Sequence, residues 1–397
     1  GFNEVNLNEK PDVVVINTCT VTENGDKDTK KLINKINRTS SNSKIALVGC
    51  QAQIKKEELL SLKNVQWVIG NEDKSNTVSK IKENRFGVHI NKFKKQSFFQ
   101  NYTSFDPRHT RVNLKIQDGC DFFCSFCIIP FARGPARSRD FDDIINDAKS
   151  LISLGVKEII LTGINLGTYE NKGKKFSDIL ETLLILDRNV HIRISSIEPT
   201  TIDFDIIKLW KTHPNFCKYL HLPLQAGTDQ ILKKMRRKYT LNEYNKFILE
   251  IKKGIPDICI GTDIIVGFPD ESDQLFDDTY HYLSNSVINY FHVFSYSERS
   301  LAHARKFDNK IPKNKIKFRS ENLRELSSKK WDNYINNFIN KNMNVLFEQK
   351  KEDYWIGSSD NYIKIRCKSE KNIKNKRFEV NCIEKENNYL IGEIIDK

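Results

Sequence analysis

Short apolar blocks alternate with longer polar stretches through most of this chain. Near its start, Val13–Asn17, Ile45–Gly49 and Trp67–Gly70 read as strands, separated by the polar helical stretches Asp26–Asn37 and Lys55–Leu62. This alternation predicts a small parallel α/β domain over residues 1–95. A longer alternation begins near Arg111, with strands expected at Val112–Gln117, Glu158–Thr162, His191–Ser195, Tyr219–Leu222, Ile258–Val266 and Phe291–Tyr296. Between the first two, Phe141–Leu154 places Ile144, Ile145, Ala148, Leu151 and Ile152 on one helical face. Six βα units with right-handed crossovers predict a partial (β/α)6 barrel over 111–338. Beyond residue 340 the rhythm changes. The run Ile363–Lys368 alternates strictly between apolar and cationic positions, and Phe378–Ile383 and Tyr389–Ile395 follow as short strands. A small antiparallel β-barrel is expected over 340–397. The fold class is therefore α/β, with a basic linker over 96–110 and a β-barrel at the carboxyl end.

Composition narrows the class. With 39% hydrophobic and 29% charged residues, the chain has the make-up of a soluble globular protein. No apolar run approaches the ~20 residues of a membrane span, and GFNEVNLNEK is no secretory signal. A cytoplasmic protein without membrane partners is expected. The net charge of +13 is concentrated: residues 80–111 carry a net +6 and residues 299–330 a net +8. Positive charge gathered on connecting segments suits a phosphate-rich partner such as RNA. A lysine-rich solvated surface is the plainer alternative.

Nine cysteines, odd in number and scattered, argue against a disulfide framework. Three of them, Cys120, Cys124 and Cys127, form a C-x3-C-x2-C loop just after the first barrel strand. Three thiolates on one short loop can hold three corners of a [4Fe–4S] cluster, and the fourth iron then lacks a protein ligand. That vacancy can chelate S-adenosylmethionine, whose reductive cleavage yields a 5′-deoxyadenosyl radical. Structural zinc takes four ligands, usually in paired sets. Here the nearest other Cys or His is His109. Two more cysteines, Cys19 and Cys50, directly follow predicted strand ends, where open α/β sheets place their ligands.

The run KIQDGCDFFCSFCIIPFARGPARSR, residues 115–139, resembles the signature of the radical-SAM methylthiotransferases. The similarity continues in VINTCTVT, GCQAQ, LTGINLGTY, RISSIEP, HLPLQAGTDQILKKMRRKYT, TDIIVGFPDES and HVFSYSERS, in the family's order. The last domain resembles the RNA-binding TRAM module. The motifs look most like the branch that acts on N6-threonylcarbamoyladenosine beside the anticodon of tRNA. Other branches modify isopentenyladenosine in tRNA or an aspartate of a ribosomal protein. A non-catalytic iron–sulfur RNA-binding protein is the alternative of a different class.

The resemblance implies two [4Fe–4S] clusters, S-adenosylmethionine, a tRNA substrate and an external electron donor of flavodoxin or ferredoxin type. The first cluster falls to Cys120, Cys124 and Cys127, and the auxiliary, sulfur-bearing one to Cys19 and Cys50. The resemblance places the family's third auxiliary cysteine upstream of Gly1; either the sequence is truncated at its amino end, which the Gly start favours, or the protein has lost a ligand and with it the auxiliary cluster. Around the barrel, Thr162, Gly163 and Asn165 form a turn that can receive the methionine amino group. Ser195 and Glu198 suit ribose hydroxyls, Gln225 and Asp263 complete a polar lining, and Phe126 can lie against adenine. Ordinary capping of strands and helices is the rival for these residues. The basic run Lys233–Lys238 reads either as a helix terminus or as an anion site. Cys217, Cys259, Cys367 and Cys382 read as buried structural thiols, and the eight histidines show no ligand spacing.

Overall fold

The structure, a computed structural model, describes residues 2–93, 109–202 and 205–395. The expected linker 96–110 thus lies outside the described residues, apart from His109 and Thr110. The described residues fall into two compact units. One comprises the described parts of Gly1–Phe99, Gly119–Arg137 and Ser297–Lys306, the other those of Gln100–Asp118, Ser138–Tyr296 and Phe307–Lys397.

The first unit holds four parallel strands in chain order: β1 (Val13–Thr18), β2 (Lys44–Gly49), β3 (Val65–Ile69) and β4 (Gly87–His89). Helix α1 (Glu23–Thr39) follows β1, and Thr22 caps it by accepting from the Gly25 N–H at 3.2 Å. Its apolar stripe, Ile33 and Ile36, packs with Ile16, Leu47, Leu59 and Val68 into one core. Helix α2 (Cys50–Leu60) begins directly at the end of β2, whereas the sequence placed a helix only from Lys55. Gly49 makes the abrupt change possible, because its φ of +101° lies in the region that favours glycine. The same unit contains the short helix α3 (Ile129–Arg133), immediately beyond the cysteine triplet.

The second unit contains the six expected parallel strands. They are β5 (Arg111–Lys115), β6 (Glu158–Thr162), β7 (His191–Ile194), β8 (Tyr219–His221), β9 (Cys259–Val266) and β10 (Tyr290–Ser295). They form two three-stranded sheets, β7–β6–β5 and β8–β9–β10. Parallel bridges Ile192–Phe216 and Ser196–His221 join the two. Helix α4 (Phe141–Ser153) buries Ile144, Ile145, Ala148 and Leu151 of the expected face and leaves Ile152 half-buried.

A closed five-stranded barrel ends the chain: β11 (Asn342–Lys351), β12 (Tyr354–Ser359), β13 (Lys364–Lys368), β14 (Arg377–Glu386) and β15 (Tyr389–Ile394). Two of these strands were not expected. β12 is buried along most of its length and carries Gly357, Ser358 and Ser359, so it lacks the polar–apolar alternation of an exposed strand. The barrel is antiparallel as expected, except that β13 and β15 run parallel where it closes.

The β-barrel and the (β/α)6 strands share one core, in which Cys259, Tyr219 and Tyr290 meet Val345, Trp355 and Ile365. A buried ion network reinforces it. Glu158, fully buried, receives Arg193 Nε at 2.8 Å and Arg377 Nη2 at 2.8 Å. Burial opposes ionisation of Glu158, but the two guanidinium groups prevail and hold its carboxyl down at about 2. Arg193 Nη1 also donates to the Asp360 carbonyl oxygen at 2.9 Å, and Arg377 Nη1 to the Asp360 carboxylate at 2.9 Å.

Candidate metal and cofactor site

All five cysteines of the two expected clusters fall in the first unit. Register sets the first pair: Thr18 of β1 faces Gly49 of β2, so Cys19 and Cys50 leave neighbouring strand ends. A Cβ on Gly49 would meet Asn17 Oδ1 at 2.7 Å and the Thr18 carbonyl oxygen at 2.9 Å, so this close approach needs glycine. Cys19 is exposed, whereas Cys50 is buried. The Thr20 carbonyl beside Cys19 accepts from Arg299 Nη1 at 3.0 Å, and Arg299 Nη2 pairs with Asp26 at 2.9 Å. Ser297 Oγ accepts the Glu23 N–H at 3.0 Å. The SYSERS run therefore braces the Cys19 loop from a distant part of the chain.

Cys120, Cys124 and Cys127 are half-buried. The Cys120 N–H donates to the Gly134 carbonyl at 3.1 Å, and the Cys127 N–H to the Cys124 carbonyl at 3.0 Å. Those bonds fold the loop back on itself. The same 297–306 segment reaches this loop too, where the Ala304 N–H donates to the Ser125 carbonyl at 2.7 Å. Phe126 is partly exposed between two of the thiols. The donor set, three soft thiolates on an ordered turn, fits three corners of an iron–sulfur cube.

The other predicted residues lie in the second unit, at or just after strand ends. Gln117 Oε1 accepts the N–H groups of Ile164 at 2.9 Å and Asn165 at 2.8 Å, shaping the turn after Thr162 and Gly163. Asn165 Oδ1 accepts from Thr201 Oγ1 at 3.1 Å. Ser195 follows β7 and donates its N–H to Leu161. Both oxygens of Glu198 accept from Arg237 Nη2, at 2.7 and 2.8 Å. Burial raises the Glu198 pKa despite that partner. Arg237 thus spends its charge within the fold, as does Lys234, 2.6 Å from Asp270, so part of the basic run is internally paired. Gln225 bridges to Ile264 of β9.

Asp263 on β9 lies between two histidines of neighbouring strands. His292 Nδ1 is 3.1 Å from its Oδ1; His221 Nε2 is 3.2 Å away but out of line for a hydrogen bond. Burial opposes its charge, yet the two imidazoles outweigh that and hold its carboxyl at about 2. His221 Nδ1 meets Ser196 Oγ at 2.8 Å. No chain spacing announces this cluster, because parallel strands bring together residues far apart in sequence. Gln117 and Arg299 were also missed as individual residues, although both stand in quoted motifs. The four remaining cysteines are buried, and burial pushes the Cys259 thiol up to about 12.

Comparisons with known proteins agree with this architecture. Residues 114–283 match the Radical SAM superfamily, and residues 1–70 match "Uncharacterized protein family UPF0004". Threonylcarbamoyladenosine tRNA methylthiotransferase MtaB of Bacillus subtilis (strain 168) is 32% identical, over 100% of this chain and 90% of its own length. Its namesake from Aquifex aeolicus (strain VF5) is 34% identical, over 94% and 92%. A tRNA-2-methylthio-N(6)-dimethylallyladenosine synthase from Christiangramia forsetii is 30% identical, over 100% and 85%. Among solved structures, the radical S-adenosylmethionine methyltransferase TsrM from Kitasatospora setae, with cobalamin and a [4Fe–4S] cluster bound, matches with a TM-score of 0.55. It is 11% identical and covers 72% of this chain and 62% of its own, a likeness of fold alone. With a radical-SAM barrel, a cysteine triplet that follows its first strand in sequence and relatives matched along nearly their whole length, the chain belongs to the radical-SAM methylthiotransferases.

Proposed function

We infer that this protein transfers a methylthio group to C2 of N6-threonylcarbamoyladenosine beside the anticodon of tRNA. The observation that carries this reading is the similarity to two MtaB enzymes over 90% and 92% of their lengths. Cys120, Cys124 and Cys127 would hold the cluster that binds S-adenosylmethionine. Cys19 and Cys50 would contribute thiolates to the auxiliary cluster. Bound there, the two clusters supply reductive cleavage of S-adenosylmethionine and the sulfur to be inserted.

The chain's own residues orient these parts. Gln117 fixes the Gly163–Asn165 turn, which would receive the methionine amino group. Glu198, held by Arg237, and Ser195 would face ribose hydroxyls, and Phe126 would lie against adenine. Gln225 and Asp263 complete the polar lining, with Asp263 kept anionic by His221 and His292. The TRAM-like barrel and the basic segments would engage tRNA phosphates, in the cytoplasm, with a flavodoxin- or ferredoxin-type protein supplying electrons.

The dimethylallyladenosine relative favours a second reading, in which isopentenyladenosine is the substrate. Mass spectrometry of tRNA nucleosides from a deletion strain decides between them. Loss of methylthio-threonylcarbamoyladenosine alone is the expected result. Loss of the methylthio-isopentenyl nucleoside instead, or an unchanged profile, overturns the assignment. In the purified protein, Cys124→Ala should abolish 5′-deoxyadenosine formation with dithionite, and its persistence would contradict the role given to the triplet.

A further inference from the structure

Cys50 is buried, and its sulfur meets two nitrogen donors. Arg133 Nε lies 3.1 Å from Sγ and Asn71 Nδ2 3.5 Å. Neither donor is a neighbour in sequence. Asn71 sits just beyond β3 and is pinned there, its N–H donating to Gln53 Oε1 at 3.0 Å. Its amide nitrogen also reaches the Ala132 carbonyl at 2.7 Å. Arg133 closes α3, six residues past Cys127, and its carbonyl accepts from Arg137 Nη2 at 2.9 Å. Arg137 in turn pairs with Glu72 at 3.1 Å. One small set of bonds therefore joins the Cys50 loop to the segment that carries the triplet.

We propose that Arg133, assisted by Asn71, is a positioning residue for the auxiliary cluster, fixing the Cys50 thiolate and setting that cluster's reduction potential from the triplet's own helix. The proposal rests on the assignment of Cys50 as an auxiliary ligand. N–H donors to a ligating sulfur withdraw electron density, and a nearby guanidinium offsets negative charge. Both stabilise the reduced, more negative cluster and raise its potential. Arg133 supplies both effects, Asn71 only the first. Lysine in place of arginine keeps the charge but lacks the planar, directed N–H. Because Arg133 is tied through α3 to the triplet loop, a shift of one cysteine loop is felt at the other.

The test uses the full-length protein carrying Cys120→Ala, Cys124→Ala and Cys127→Ala, so that any remaining cluster is the auxiliary one. Potentiometric titration followed by electron paramagnetic resonance gives its midpoint. Arg133→Gln should move the midpoint to a more negative value, with Arg133→Lys intermediate and Asn71→Ser shifted the same way by less. An unchanged or more positive midpoint in Arg133→Gln, at equal iron content, overturns the proposal. If a variant binds no auxiliary iron, the same change is made with the triplet intact. Loss of the auxiliary cluster alone, with an unchanged melting temperature, supports positioning; loss of both clusters with a lower melting temperature shows a role in folding and overturns it. Should the triplet-free protein with Arg133 intact bind no iron, the assignment of Cys50 fails instead, and the two failures are thereby told apart.

Discussion

Gly119 holds φ at +74°, and a Cβ there would lie 1.9 Å from the Pro135 carbonyl oxygen. Backbone cannot yield as a flexible side chain can, so any larger residue must move the strand of chain that faces the triplet loop. The Cys120 N–H, bonded to the Gly134 carbonyl, would move with it. On the proposed ligand assignment, Gly119→Ala should therefore lose the cluster held by Cys120, Cys124 and Cys127. Iron analysis with electron paramagnetic resonance checks this, and a full complement of both clusters would contradict it. At this scale the sequence was only partly informative. The cysteine triplet stood out as a candidate, because a three-cysteine loop has few other uses. Gly119, Gln117 and Arg133 did not, since each acts through a partner that only the fold brings near.

Among elements, strands with a strong apolar signature were legible to within one or two residues at most ends. Glu158–Thr162 is the same in sequence and structure, because a continuous apolar run buried under helices leaves little choice. β11 and β12 were missed: β11 runs into the polar stretch Glu348–Lys351, and β12 carries buried Gly and Ser. The junction between β6, β7 and the β-barrel depends on Glu158. Glu158→Gln would leave Arg193 and Arg377 buried with one anion fewer, at a cost of about 3–5 kcal/mol. Its pKa is depressed in the fold, so the stability it contributes is complete above the ordinary carboxylate range. That contribution is lost as pH falls from about 4.5 toward about 2. Chemical denaturation across that range should show a shallower acid loss in Glu158→Gln than in the parent, and an identical slope would refute the pairing.

The whole molecule is organised by units that ignore chain order. Residues 297–306, far from either cysteine loop in sequence, fold into the same unit and bond to both. No periodicity in the chain foretells such a strap. The C-terminal β-barrel likewise shares its core with Cys259, Tyr219 and Tyr290. It is therefore an integral part of the second unit. A chain ending at residue 338 should melt at a lower temperature and aggregate, because removal of the barrel exposes apolar surface that it covers. A truncated protein with unchanged melting and weaker tRNA binding alone would show the opposite. Among the described residues, no helix is long and apolar enough to cross a membrane.

Methylthio transfer to threonylcarbamoyladenosine is tested most directly by anaerobically reconstituted, full-length protein given S-adenosylmethionine, dithionite and two tRNAs together, one bearing threonylcarbamoyladenosine and one isopentenyladenosine. Mass spectrometry of the digested nucleosides should find the methylthio group on the threonylcarbamoyl nucleoside and none on the other. A methylthio group on isopentenyladenosine, or 5′-deoxyadenosine formed with both nucleosides unchanged, would contradict it.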